Sequence, residues 1–221
     1  MKMKTAFAAA VIAAQASLAG YIALRGPTTP IPMHFDWSGA VNRWGGRGEA
    51  ALVVGGMACL SAILTLGLGQ LSLRKGSGGA PHKLRHSESL GLGITSASCG
   101  LIAAMTFGWI HQGDASVRLQ MAFLNAIFLL LGAYLGKVGP NALVGVRTPW
   151  TFGSRLAWDK SNRLAGRLLF WGGLTGLIAA AFVPQPLGLH ATIIGLLAAG
   201  AASAFESWRV WRTDPDRTSW G

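Results

Sequence analysis

The chain has 221 residues, of which 51% are hydrophobic and only 12% charged, and 19 Lys and Arg against 8 Asp and Glu give a net charge of +11. An ordinary soluble domain carries about a quarter charged residues, so this composition excludes a protein dressed for water on all sides. The basic residues sit between apolar runs of bilayer-spanning length rather than on one nucleic-acid-binding face, which argues against direct nucleic-acid binding.

Six apolar stretches read as membrane helices: Met3–Leu24, Ala50–Leu73, Ser89–Ile110, Val117–Gly136, Leu164–Val183 and Leu189–Trp208. Their Ala, Leu and Gly content suits packed helices, and strands of that length are rare. The expected fold is all-α, a polytopic bundle of six transmembrane helices. The first stretch follows Met-Lys-Met-Lys and contains Ser17-Leu18-Ala19, a pattern shared with cleavable signal peptides. It runs on to Leu24, long enough for a membrane helix. Cleavage would leave five helices and a C-terminus at odds with the charge pattern.

The first connection, Pro27 to Glu49, is rich in Pro, Gly and Trp. Pro27, Pro30 and Pro32 stiffen an extended segment, while Gly39, Gly45 and Gly46 permit turns. It reads as a structured lid, with Trp37 and Trp44 at headgroup level, or as a loop folded onto the bundle. Glu49 and Glu88 stand just before the second and third stretches, where a helix N-terminus favours a carboxylate. The second connection holds Gly76, Gly78, Gly79 and Pro81 and reads as a flexible linker over residues 74–88. His82 and His86 lie there four apart, with little helical support around them. The expected division is a two-helix unit over 1–73, this linker, and a four-helix unit over 89–221.

Cys59 and Cys99 fall inside apolar stretches and read as packing residues, not a disulfide framework. Gln15 and Asn125 are the strongly polar residues at depth, expected to hydrogen-bond between helices. No Asp, Glu, Lys, Arg or His lies near the middle of a stretch, where ion-coupled transporters place such groups. Gly132 and Gly136 form a small-xxx-small pair, as do Gly172 and Gly176, and both read as helix-packing contacts.

The connection from Lys137 to Arg163 is the most informative part of the chain. Pro140-Asn141 makes a turn. Thr148 then reads as an N-cap with Pro149 at the first helical position, and Gly153-Ser154 restarts a helix. Arg155, Asp159, Arg163 and Arg167 recur every four residues and share one helical face, with Asp159 placed to bridge Arg155 and Arg163. Leu156 and Trp158 would lie against headgroups, and Trp150, Trp208 and Trp211 read as further interfacial anchors. Two readings stand side by side: an amphipathic interfacial helix, and a docking surface in which Arg147 offers a planar donor to a carboxylate or phosphate.

Fifteen of the nineteen basic residues gather at the N-terminus, the second and fourth connections and the C-terminal tail; Arg25, Arg43, Arg47 and Arg118 are the rest. The positive-inside rule therefore expects both termini and the 137–163 connection in the cytoplasm, with the 27–49 connection outside. His34, His111 and His190 fall on that outer side and are the metal candidates, although nothing in their spacing makes them converge. No cofactor motif, catalytic triad order or phosphate-binding Gly-rich loop stands out, and no residue set demands an enzyme.

Pro140-Asn141, Gly145-Val146-Arg147-Thr148-Pro149-Trp150-Thr151, Trp158 and Gly166 resemble the signature of the SdpI family of polytopic bacterial membrane proteins. The chain departs from it at Ser161-Asn162, where the family often has Thr-His or Ala-His. Pro30-Ile31-Pro32, His34-Phe35, Gly39 and Trp44 are similar to a short membrane domain that commonly precedes the signature; Asn42 stands where Asp is common. The resemblance implies a protein of the bacterial inner membrane that confers immunity to a secreted membrane-active peptide. It also implies signalling by holding a cytoplasmic transcriptional repressor at the membrane. Its expected partners are lipids, the extracellular toxic peptide and that repressor. His34, Phe35 and Trp44 outside, and Asn141, Arg147, Thr148, Pro149, Trp150 and Trp158 inside, are the expected binding residues. The competing readings are a membrane enzyme or small-molecule transporter with a cavity between the two loops, and a signalling scaffold without immunity function.

Overall fold

The computed structural model describes residues 2–36, 38, 40–73, 81–110, 113–137, 139–140 and 144–218. In chain order these form α1 (Lys2–Arg25), β1 (Ile31–Phe35), β2 (Val41–Gly45), α2 (Arg47–Leu73), α3 (Pro81–Thr106), α4 (Asp114–Leu135), α5 (Pro149–Phe152), α6 (Arg155–Ala179) and α7 (Leu187–Thr213). Six long helices thus stand where the apolar stretches are. Among the described residues, four segments are long and apolar enough to cross a membrane: Thr5–Arg25, Arg47–Leu66, Ala115–Leu135 and Leu187–Thr213. The apolar part of α3 is the shorter Leu90–Thr106. In α6, Arg155, Asp159, Lys160, Arg163 and Arg167 occupy the first half.

The helices keep large apolar side chains on their outside. Leu52 is 77% exposed, Leu66 67% and Leu197 67%. A water-soluble monomer does not carry apolar surface on this scale, whereas lipid solvates it.

The chain divides into two compact units, one holding α1, β1, β2, α2 and most of α3, the other holding α4 to α7 almost entire. The first has a core of Ile22, Ile31, Ala50, Ala51, Val54 and Cys99, with Leu18, Met33 and Phe107 packed against it. Ile31 and Met33 therefore tie the strand segment to the helices. Deeper in this unit, buried Gln15 donates from Nε2 to Thr95 Oγ1 (3.2 Å) and Ser96 Oγ (2.9 Å), and Ser61 Oγ pairs with Thr95 Oγ1 at 2.7 Å. These bonds join α1, α2 and α3, the interhelical role expected of Gln15. The strands pair antiparallel with irregular register, Ile31 opposite Gly45 and Pro32 opposite Trp44. Two strands are thus added to an otherwise helical chain.

α3 begins at Pro81, several residues earlier than expected, so the backbone at His82, His86 and Glu88 is helical and Glu88 does not stand at the helix start. Pro at the first helical position explains the start, since its missing N–H is one the helix leaves unbonded there.

In the second unit α4 and α6 touch backbone to backbone. A Cβ on Gly132 would collide with the Phe170 amide, one on Gly166 would lie 3.0 Å from Gly136 N, and one on Gly173 would lie 2.5 Å from Leu129 N. Gly176 is filled against the Asn125 carboxamide, whereas Gly172 has nothing within 4 Å. The close contact of this stretch is therefore built by Gly173 and Gly176, one residue out of register with the expected Gly172–Gly176 pair. Asn125 donates to Thr192 Oγ1 and to Met121 O, both at 2.9 Å, joining α4 to α7 as expected. Arg118 Nη1 donates to Ala180 O and Ala181 O, each at 3.1 Å, closing the C-terminal end of α6.

Candidate functional site

The loop before α5 is built from beneath. Trp158, 1% exposed, lies under Gly145, and a Cβ there would come within 2.9 Å of its ring and 2.7 Å of Asn162 Oδ1. Gly145 also holds φ +138°, a backbone region that L side chains rarely enter. Asn162, itself buried, accepts from the Val146 amide at 2.7 Å through Oδ1 and donates to Trp158 O at 2.9 Å. One carboxamide thus fastens both the loop and the helix beneath it.

Thr148 caps α5 as its sequence predicts. Its Oγ1 accepts from Thr151 N, and its own amide donates to Thr151 Oγ1 at 3.0 Å, a reciprocal box with Pro149 at the first position. Thr148 Oγ1 also meets buried Ser207 Oγ of α7 at 2.8 Å. Ser154 caps α6 by accepting from Ala157 N at 2.9 Å, and its hydroxyl donates to the Asp214 carboxylate. Asp214 in turn accepts from Asp216 N at 3.0 Å, while Thr218 N donates to Gly153 O at 2.9 Å. The segment after α7 therefore clamps the α5–α6 junction.

What this scaffold presents outward is Arg147. It is exposed, and its guanidinium lies 5.6 Å from the ring centroid of Phe152, which is 57% exposed. Trp150 is half-buried beside it. A guanidinium stacked on an aromatic ring keeps its edge donors free for a carboxylate or phosphate. Among the described residues Arg147 has no acidic partner.

Several sequence expectations change here. Trp158 is not an interfacial anchor but the buried floor of the loop. Asp159 forms no ion pair with Arg155 or Arg163 among the described residues; all three are exposed on the same face. Ser207 and Asp214 were not singled out from the sequence. A Ser in an apolar helix and an Asp after its last turn carry no local signal of their partners. Asn141 lies outside the described residues.

The other expected residues sit on the hairpin of the first unit. His34 and Phe35 end β1 and Trp44 lies on β2. Phe35 is half-buried, Trp44 49% exposed, and His34 exposed with its Nδ1 2.6 Å from Asn42 Oδ1. The residue standing where Asp is common thus pairs with His34 across the hairpin. Asp36 Oδ1 gathers Ser38 N (2.8 Å), Ser38 Oγ (2.6 Å) and Ala40 N (3.0 Å), which closes the turn. Arg43 forms an ion pair with Glu49 in the first turn of α2. Glu49 therefore secures the hairpin to the helix start, in keeping with its expected local role.

Among the described residues no three His, Cys, Asp or Glu side chains are grouped to hold a metal. His111 lies outside those residues, and His34 and His190 belong to different units. The second unit has a cleft of about 350 Å³ bordered by Asn125, Thr175 and Thr192 and otherwise by apolar residues and glycine. No ionisable side chain lines it among the described residues.

Long apolar helices that expose their side chains, joined by polar loops, define a helical membrane protein. The family model described as SdpI/YfhL protein family matches residues 137–206, which supports assigning the chain to the SdpI family. The matched segment covers the Gly145–Thr151 loop, α5, α6 and most of α7. Comparison with curated proteins and with solved structures gave no match.

Proposed function

We propose that this protein protects a bacterial cell from a secreted membrane-active peptide, and that Arg147 is the residue on which protection turns. The observation that carries this reading is the rigid presentation of Arg147 over Phe152 within the family-matched segment. A side chain with no structural duty, held on a loop fixed from beneath by Trp158, Asn162 and Ser207, is free for recognition. The outer hairpin, with His34, Phe35 and Trp44, meets the toxic peptide or the lipid it attacks. The Arg147 loop holds the protective conformation or docks a cytoplasmic repressor. In this reading all six long helices cross the inner membrane with both termini in the cytoplasm. The charge distribution supports that orientation, and α6 crosses with its basic first half in the headgroup region.

The test is survival of a sensitive bacterium expressing the full chain and challenged with such a peptide. The parent protects. Arg147→Ala loses protection while inserting at parental levels, and Arg147→Lys, which keeps the charge but not the planar stack, protects only in part. Undiminished protection by Arg147→Ala removes the residue from the mechanism.

A further inference from the structure

A second open cleft, of about 250 Å³, runs between α4 and α6. Its floor is glycine: a Cβ on Gly132 would come within 2.3 Å of Phe170 N and one on Gly166 within 3.0 Å of Gly136 N, while Gly136 lies in ordinary contact with Arg163. Phe170 and Trp171 form one wall, and Trp171 is 61% exposed. Lys137, Arg163 and Arg167 stand at its edge, all exposed. No acidic residue lines it, and none of the three cations has an ion pair among the described residues.

The position of this cleft matters. The apolar segment of α4 ends at Leu135, so Lys137 stands where hydrocarbon gives way to headgroups. The cleft is therefore apolar toward the bilayer interior and triply cationic at its boundary. We propose that it binds one anionic phospholipid. An acyl chain lies along the glycine floor against Phe170 and Trp171, and the phosphodiester sits among Lys137, Arg163 and Arg167. Charge selects the lipid. Three cations around one phosphate leave an excess positive charge that a choline headgroup opposes and a glycerol headgroup does not. The cleft is also too small for a whole lipid, so it takes a segment of one chain and leaves the other in the bilayer.

The experiment is native mass spectrometry of the full chain purified in detergent and offered equimolar phosphatidylglycerol and phosphatidylcholine of identical acyl chains. The parent retains phosphatidylglycerol with a preference of roughly thirty-fold or more, the scale set by two or three juxtaposed basic side chains. Arg163→Gln with Arg167→Gln reduces that preference to near parity. Ala133→Leu, at an exposed position lining the cleft, leaves every charge in place and lowers retention of both lipids by filling the chain groove. Equal retention of the two lipids by the parent overturns the proposal, as does a parental preference in the double Gln variant. Displacement of bound lipid by soluble glycerol phosphate at matched concentration also overturns it, since the site would then read the headgroup alone. None of these readouts involves protection from a peptide, so the lipid site stands or falls apart from the role of Arg147.

Discussion

At the scale of single residues, the inner loop depends on a few polar contacts that its own composition does not advertise. Gly145→Ala meets both obstacles at once, a strained φ and the Trp158 ring, and is expected to lower stability by about 1–3 kcal/mol. Asn162→Ala leaves the half-buried Val146 amide without its acceptor, again about 1–3 kcal/mol. Thermal unfolding followed by tryptophan fluorescence measures both, and an unchanged midpoint for Asn162→Ala would remove the carboxamide from the loop's support. The Thr148 cap and the Ser154 restart were legible because capping is local and is written in adjacent residues. The burial of Trp158 was not. In a basic amphipathic helix a Trp is read as a headgroup anchor, and only the return of the chain at Gly145, thirteen residues earlier, covers it. Asn162 was noticed solely as a departure from the usual His at its position. Its structural use of that position requires the loop above it.

At the scale of elements, the spacing of glycines along α6 decides which face meets α4. Gly172 and Gly173 are neighbours in sequence and opposite in consequence. Gly173→Ala would place a Cβ 2.5 Å from Leu129 N and 2.7 Å from Asn125 O. It is expected to destabilise by about 1–3 kcal/mol because backbone cannot yield as a side chain does. Gly172→Ala meets open space and removes a glycine from a helix interior, so it is expected to be neutral or stabilising by up to about 1 kcal/mol. Paired melts of the two variants check the register, and equal losses would refute it. Small residues four apart announced a contact at Gly172 and Gly176, but Gly173, three residues before Gly176, makes it instead, and the spacing gave no reason to prefer it. The hairpin escaped notice for a related reason. Ile-Pro-Met-His-Phe and Val-Asn-Arg-Trp-Gly carry Pro, Asn and Gly, which weaken any strand signal. Ile31 and Met33 packing on the helices, with Asp36 closing the turn, supply what propensity lacks.

At the scale of the whole molecule, composition alone was enough to read a helical membrane protein, since a chain this poor in charge has no other way to bury its surface. The six long helices stand where the apolar runs are, apart from the early starts of α3 at Pro81 and of α6 at Arg155, the latter at the restart expected after Gly153-Ser154. Orientation rests on charge placement and has its own test. In a background with Cys59 and Cys99 replaced, a cysteine at Ser38 is expected to react with a membrane-impermeant maleimide in intact cells. One at Arg155 is expected to react only after lysis. The opposite pattern would invert the topology and with it the faces assigned to peptide and repressor.

The clamp made by the residues after α7 separates two boundaries usually taken as one. The family match stops at residue 206, but Ser207 holds Thr148 and Asp214 holds Ser154. A gene cut to the matched segment would therefore encode the recognisable signature and not its support. A transplant of this loop onto another helical scaffold has to carry the last dozen residues as cargo, and a reporter fused close behind Thr213 competes with the loop for the same anchoring atoms.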